Sequence, residues 1–161
     1  MGHLFESNMA VESEETSIDE STTEFLRKKG AMEILAEIGE EGPQRHTDLR
    51  EELLLSSSTI QKRLKAGREY DLWELTLQPR DGTDAKVYKL TQLGDQLYTH
   101  VNQDALSDLY KARRGLISEI ELRERKVLIE MAPDDADWLL DMPAEKYGDG
   151  LDRVQKTIGQ F

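Results

Sequence analysis

The stretch SSSTIQKRLKAGR, residues 56–68, holds Lys62, Arg63, Lys65 and Arg68 and no acid, in a chain with 33 Asp and Glu against 21 Lys and Arg and a net charge of −12. If it is helical, its three opening serines, Ser56 to Ser58, supply an N-cap, because a Ser hydroxyl accepts a bond from the free amides of a first turn. On a helical wheel Ile60, Leu64 and Gly67 fall on one side. Ser58, Lys62 and Lys65 fall opposite, flanked by Thr59 and Gln61. Hydroxyls and amides hydrogen-bond base edges, and Lys and Arg meet phosphates, so the chemistry on offer is recognition of a nucleic acid. The same face would also serve as ordinary solvated surface, and the neighbouring segments must decide.

Other chemistry is poorly supplied. The chain has no cysteine, which removes disulfides, thiolate metal sites and thiol nucleophiles. His3, His46 and His100 lie far apart, without ligand-like neighbours at helical spacing. No nucleophile–base pair, glycine-rich phosphate loop or metal spacing can be found, so neither an enzyme nor a cofactor is expected. No stretch approaches the roughly 18 apolar residues of a membrane span, and the N-terminus lacks the basic leader and apolar run of a secretory signal. The expectation is a cytoplasmic protein.

Charge is distributed unevenly. Residues 1–21 hold six acids and no Lys or Arg, and read as a solvated, disordered arm. Residues 132–152 hold seven acids and one Lys. Residues 44–90, by contrast, hold nine basic and eight acidic residues. The middle of the chain is therefore where an anion would be met. An acid excess this large is also what proteins working in molar salt carry, since it keeps them soluble and apart.

The elements that must position the basic stretch follow from periodicity. TTEFLRKKGAMEILAEIGEEG has a helical repeat at Phe25, Leu26, Met32, Ile34, Leu35 and Ile38, capped by Thr22 or Thr23 and ended by Gly39 and Gly42-Pro43. HTDLREELL reads as a second, short helix with Thr47 as N-cap, and Leu54-Leu55-Ser56 as the turn into the basic helix. EYDLWELTLQ then enters a strand with Trp73, Leu75 and Leu77 inward; PRDGTDAK is a turn around Asp81-Gly82; VYKLT returns with Val87 or Tyr88 and Leu90 inward. Helix, helix, turn, helix and a two-stranded ribbon is the order of a winged helix-turn-helix.

The segment GPQRHTDLREELLLSSSTIQKRLKAGREYDLWELTLQPRDGTDAKVYKLTQLGDQL resembles the winged-helix transcriptional regulators of the HxlR, PadR, MarR and ArsR type, over residues 22–101. VYKLTQLG matches their Y-x-LT-x-x-G close. Asp71-Leu72 stands where that group usually has Gly-Leu, and Gly67 where a bulky apolar residue is usual. The resemblance implies a mainly α fold with a small β-wing (α+β); a long C-terminal dimerisation helix is expected to follow it. It implies Ser57, Ser58, Thr59, Gln61, Lys62 and Lys65 as groove-facing residues. Arg63 and Arg68 would be phosphate contacts or partners of Glu69 and Glu52, and Arg80 and Lys86 wing contacts. The expected partners are double-stranded DNA and a second copy of the chain, and the acidity adds a halophilic archaeal source.

Beyond the DNA-binding unit, residues 102–131 are expected to be helical. Leu106, Tyr110, Ile117, Ile120, Val127 and Met131 recur at spacings that form a coiled-coil-like seam, interrupted by Arg113 and Glu124. Such a stripe buries itself against a second copy or folds back on its own chain; dimerisation is the reading taken. The acidic tail, 132–161, has Pro133 at a helix start, large apolar residues at Trp138, Leu139, Leu140 and Met142, and a second helix near Leu151, Val154, Ile158 and Phe161. It offers an aromatic pocket for a small-molecule effector. Two function classes result: a DNA-binding regulator acting as a homodimer, favoured by the basic helix, and a winged-helix module binding proteins, favoured by the net charge.

Overall fold

The structure is a computed structural model describing residues 17–132. Expectations for most of the arm and for the tail, including its helices and its effector pocket, lie outside the described residues. Among the described residues the chain forms six helices and one two-stranded antiparallel sheet. The helices are α1 (Glu20–Leu26), α2 (Ala31–Glu41), α3 (His46–Glu52), α4 (Ser57–Glu69), α5 (Gln92–Gln103) and α6 (Leu106–Met131). Strands β1 (Trp73–Arg80) and β2 (Thr83–Leu90) lie between α4 and α5. The chain divides into two compact units at Ser107/Asp108. No helix among the described residues is long and apolar enough to cross a membrane.

The core of the first unit is made by Phe25, Ile34, Leu35, Ile38, Leu49, Leu53, Ile60, Leu64, Leu72, Trp73 and Val87, all buried. Burial of side chains of this size contributes about 1.5–3 kcal/mol each, which sets where the helices lie. Trp73 is central. Its ring meets Phe25 edge-on at 6.1 Å, Phe25 stacks on Tyr70 at 5.1 Å, and the indole N–H donates to the Leu64 carbonyl at 2.8 Å.

Two helix starts differ from the periodicity reading. The segment from residue 22 to 41 is two helices, because Gly30 adopts φ +84° and breaks the path. A side chain at that position would be strained, and its Cβ would come within 2.6 Å of Leu55. The first of the pair starts earlier than Thr22, inside the presumed acidic arm: Asp19 is the N-cap and accepts the Thr22 N–H at 2.7 Å. A carboxylate there satisfies a free amide and faces the positive end of the helix dipole. Hydrogen bonding from the Thr22 side chain, and then from its backbone N–H, holds the Asp19 carboxyl below its ordinary pKa. Similarly, α3 starts one residue before the expected Thr47 cap. Arg45 is its N-cap, and the Asp48 carboxylate accepts the Arg45 backbone N–H at 2.9 Å.

The end of α4 shows why Asp71 is tolerated where glycine is usual. Asp71 takes φ +59°, while the Leu72 N–H bonds to the Gly67 carbonyl and the Asp71 N–H to that of Arg68. This is the Schellman pattern, which consumes carbonyls the helix end would otherwise leave open. Thr91 then caps α5, accepting the Gly94 N–H, and donates its own hydroxyl to the Asp71 carbonyl. The T-x-x-G of VYKLTQLG thereby closes the ribbon onto the end of α4. Gly94 is required because a Cβ there would lie 2.1 Å from the Leu72 carbonyl oxygen.

The ribbon pairs Trp73 with Leu90, Thr76 with Val87 and Arg80 with Thr83, and Asp81 (φ +53°) and Gly82 (φ +79°) make its two-residue turn. Positive φ at both centres is the twist-matched hairpin turn that Asp-Gly favours. Gln44 adds one bridge beside Tyr88. The expected inward row of β1 holds only at its root: Trp73 is buried, but Leu77 is 62% exposed. Farther out the opposite face is covered, through Val87, because the twisted strands turn that face toward the helices.

Helix α6 carries apolar residues all along its length. Of the expected seam, Val127 and Met131 are exposed, but Ile117 is buried within the chain. Leu109 and Leu116, seven residues apart and not part of that seam, are 61% and 54% exposed instead. A heptad count alone selects one stripe; this helix has two, and only the packing distinguishes them.

Candidate nucleic-acid interface

The 13 residues of α4 span about 20 Å. At its start the Ser56 hydroxyl accepts the Thr59 N–H at 3.1 Å and donates to the Thr59 hydroxyl at 2.8 Å. Ile60, Leu64 and Gly67 are buried, which fixes the rotation of the helix. Ser57, Ser58, Gln61, Lys62 and Lys65 are consequently exposed on the other side. Thr59 differs from expectation: half-buried, with both its hydroxyl and its N–H engaged by Ser56, it belongs to the cap and not to the outward face. Arg68 is exposed near the far end.

Arg63 has a partner other than the expected Glu69 and Glu52. Its guanidinium Nε–H donates to the Lys29 carbonyl at 2.8 Å, across 34 positions of sequence, and ties α4 to the turn between α1 and α2. That turn carries Arg27, Lys28 and Lys29, all exposed. Their signal in the sequence is a run of three basic residues ahead of a glycine.

The two ribbon residues go to opposite faces. Lys86 pairs with Leu77 and is exposed beside it. Arg80 is on the other face, where its Nη2 donates to the Pro43 carbonyl at 2.8 Å and its Nη1 lies 3.5 Å from Asp48. Asp48 also holds the Arg45 guanidinium at 2.9 Å. Hydrogen bonding to Arg45 is the main cause that keeps the Asp48 carboxyl below its ordinary value, with the Arg80 charge adding to it; the same pair raises Arg45. One carboxylate thus braces two arginines, and Arg80 anchors the ribbon to α3. The ribbon tip itself bears Asp81 and Asp84, both exposed.

The arrangement is a polar and cationic helix face, rigidly mounted, with a basic turn pinned along one flank. Among the described residues no group of three or more His, Asp or Glu side chains is placed to hold a metal ion. Comparison of the sequence with protein-family models and with curated proteins finds no match.

Proposed function

We propose that residues 22–101 act as a winged helix-turn-helix that binds double-stranded DNA, with α4 in the major groove, in a cytoplasmic transcriptional regulator working as a homodimer. The observation that carries this is the exposed row Ser57, Ser58, Gln61, Lys62 and Lys65 on a helix whose start and end are fixed by named bonds and whose rotation is fixed by the burial of Ile60, Leu64 and Gly67. A helix of about 10–12 Å diameter fits a major groove about 12 Å wide. Ser58 and Gln61 are the base readers, and Lys62 and Lys65 meet phosphate. In a chain of net −12, long-range attraction to DNA is lost, so binding rests on this locally relieved face. The acid excess reads as adaptation to concentrated salt. The exposed apolar residues of α6 are the surface offered to a second copy.

One observation favours a second reading, a module that binds proteins and not DNA. Asp81 and Asp84 make the ribbon tip acidic, and Arg80 is held back by Asp48 and Pro43, so the tip would be repelled by a phosphate backbone.

Fluorescence anisotropy with a labelled random-sequence 30-bp duplex, read from 50 to 500 mM KCl, separates the two. Replacing Lys62 and Lys65 together by Ala should weaken binding and flatten the log–log salt slope by about 0.9 for each phosphate no longer neutralised. A double variant that binds as the parent does, with the parent's slope, would leave the protein-binding reading standing.

A further inference from the structure

We infer that the turn Arg27-Lys28-Lys29 is a second phosphate-binding site, extending the α4 surface onto the DNA backbone beside the groove; this rests on the DNA-binding reading above. Two bonds of different kind place the turn. Arg63, in the middle of α4, donates to the Lys29 carbonyl at 2.8 Å. Gly30, which follows the three bases, is packed so closely on Leu55 of the α3–α4 turn that a Cβ would come within 2.6 Å of it. The basic run is therefore mounted on the flank of α4 and on the turn that leads into it. A segment held at both points moves with the helix.

The composition suits a polyanion. Arg27, Lys28 and Lys29 are consecutive and exposed, so a path along the flank meets three cationic groups. The carboxylates near Arg27 and Lys28 are close but weakly held. Arg27 lies 3.9 Å from Glu24, with both side chains mostly exposed, and Lys28 shares a shallow hollow with Asp19, Glu20 and Glu24. Solvent-exposed pairs of this kind contribute little and are screened by salt, so a phosphodiester can take the place of the carboxylate. Arg63 in this arrangement is a positioning residue: its bond to the Lys29 carbonyl sets where the three basic residues stand.

The test uses the full chain, the same labelled 30-bp duplex and the same salt series. The combined variant Arg27→Ala, Lys28→Ala and Lys29→Ala should bind at least about tenfold more weakly at 100 mM KCl and show a salt slope flatter by about 2, near 0.9 for each phosphate it no longer neutralises. The double variant Lys28→Arg and Lys29→Arg, which keeps the charge, should bind as the parent does. Glu24→Gln, which frees Arg27 from its carboxylate, should bind about two- to fivefold tighter. A gain of affinity cannot come from misfolding, so that arm decides the matter even if the triple variant is unstable. Should the Lys62 and Lys65 variant lose affinity while the triple variant keeps the parent's affinity and slope, the turn is solvated surface and only this inference falls. Loss in the triple variant alone would mean that α4 is not the centre of the site, and would overturn both. A parent chain that binds no duplex at any salt ends the DNA-binding reading and this one with it.

Discussion

Gly67→Ala is the substitution on which local and tertiary physics disagree most sharply. Within a helix, Ala is more favourable than Gly by about 1 kcal/mol, so propensity alone makes the variant more stable. The packing says otherwise. A Cβ at residue 67 would stand 1.9 Å from Cζ2 of Trp73, 2.2 Å from Cε2 and 2.6 Å from Cη2. Restoring ordinary separation requires the ring to retreat by roughly 1.5 Å. Trp73 has no room for that: it is 1% exposed, edge-on to Phe25, and its N–H is bonded to Leu64. Overpacking of this kind costs about 1–3 kcal/mol, and a strained or broken indole bond about 1 more. Set against the propensity gain, the net is a destabilisation of about 1–3 kcal/mol. Urea unfolding followed by far-ultraviolet circular dichroism, at fixed KCl, measures it. Trp73→Phe removes the ring atoms that the new methyl meets, so the two substitutions should be coupled by more than about 1 kcal/mol in a double-mutant cycle. A Gly67→Ala chain more stable than the parent, with no coupling to position 73, would refute the reasoning.

Asp71→Gly should raise stability by about 0.5–1 kcal/mol, since Asp71 holds φ +59° at a helix C-terminus where glycine carries no steric penalty; an unchanged melting midpoint would count against strain there. The depressed pKa of Asp48 makes its contribution complete above the ordinary carboxylate value of 3.8 and lost as pH falls through the lower, folded-state value. The stability gap between the parent and Asp48→Asn should accordingly be steady from pH 7 to 5 and close below pH 3.8, as read by urea titrations at each pH. Light scattering at micromolar concentration should show a dimer for the parent, and a monomer once Leu109 and Leu116, both more than half exposed, are replaced by Lys; a parent that is already monomeric would remove the homodimer from the proposal.

What the sequence determined by itself was whatever depends on neighbours a few positions apart. The basic helix and the ribbon after it, a serine cap within residues 56–58, the inward Ile60 and Leu64 and the Asp81-Gly82 turn all follow from spacings of two to four residues, whereas the break at Gly30 between α1 and α2 does not. The outward row of α4 was legible for the same reason: once Ile60 and Leu64 are buried, the opposite face is set by the helical repeat. Tertiary structure decided what depends on distance across the chain. Arg63 reaches Lys29 over 34 positions and Arg80 reaches Pro43 over 37, and no periodicity encodes either bond. Those two bonds make one arginine a strut for a basic turn and the other an anchor for the ribbon. The exposure of Leu77 and the choice of Val87 over Tyr88 as the covered residue likewise come from strand twist against the helices, and the need for Gly67 comes from an indole ring arriving from the next strand. A side chain's partners are a property of the folded surface around it, and only its candidate face is a property of the local repeat.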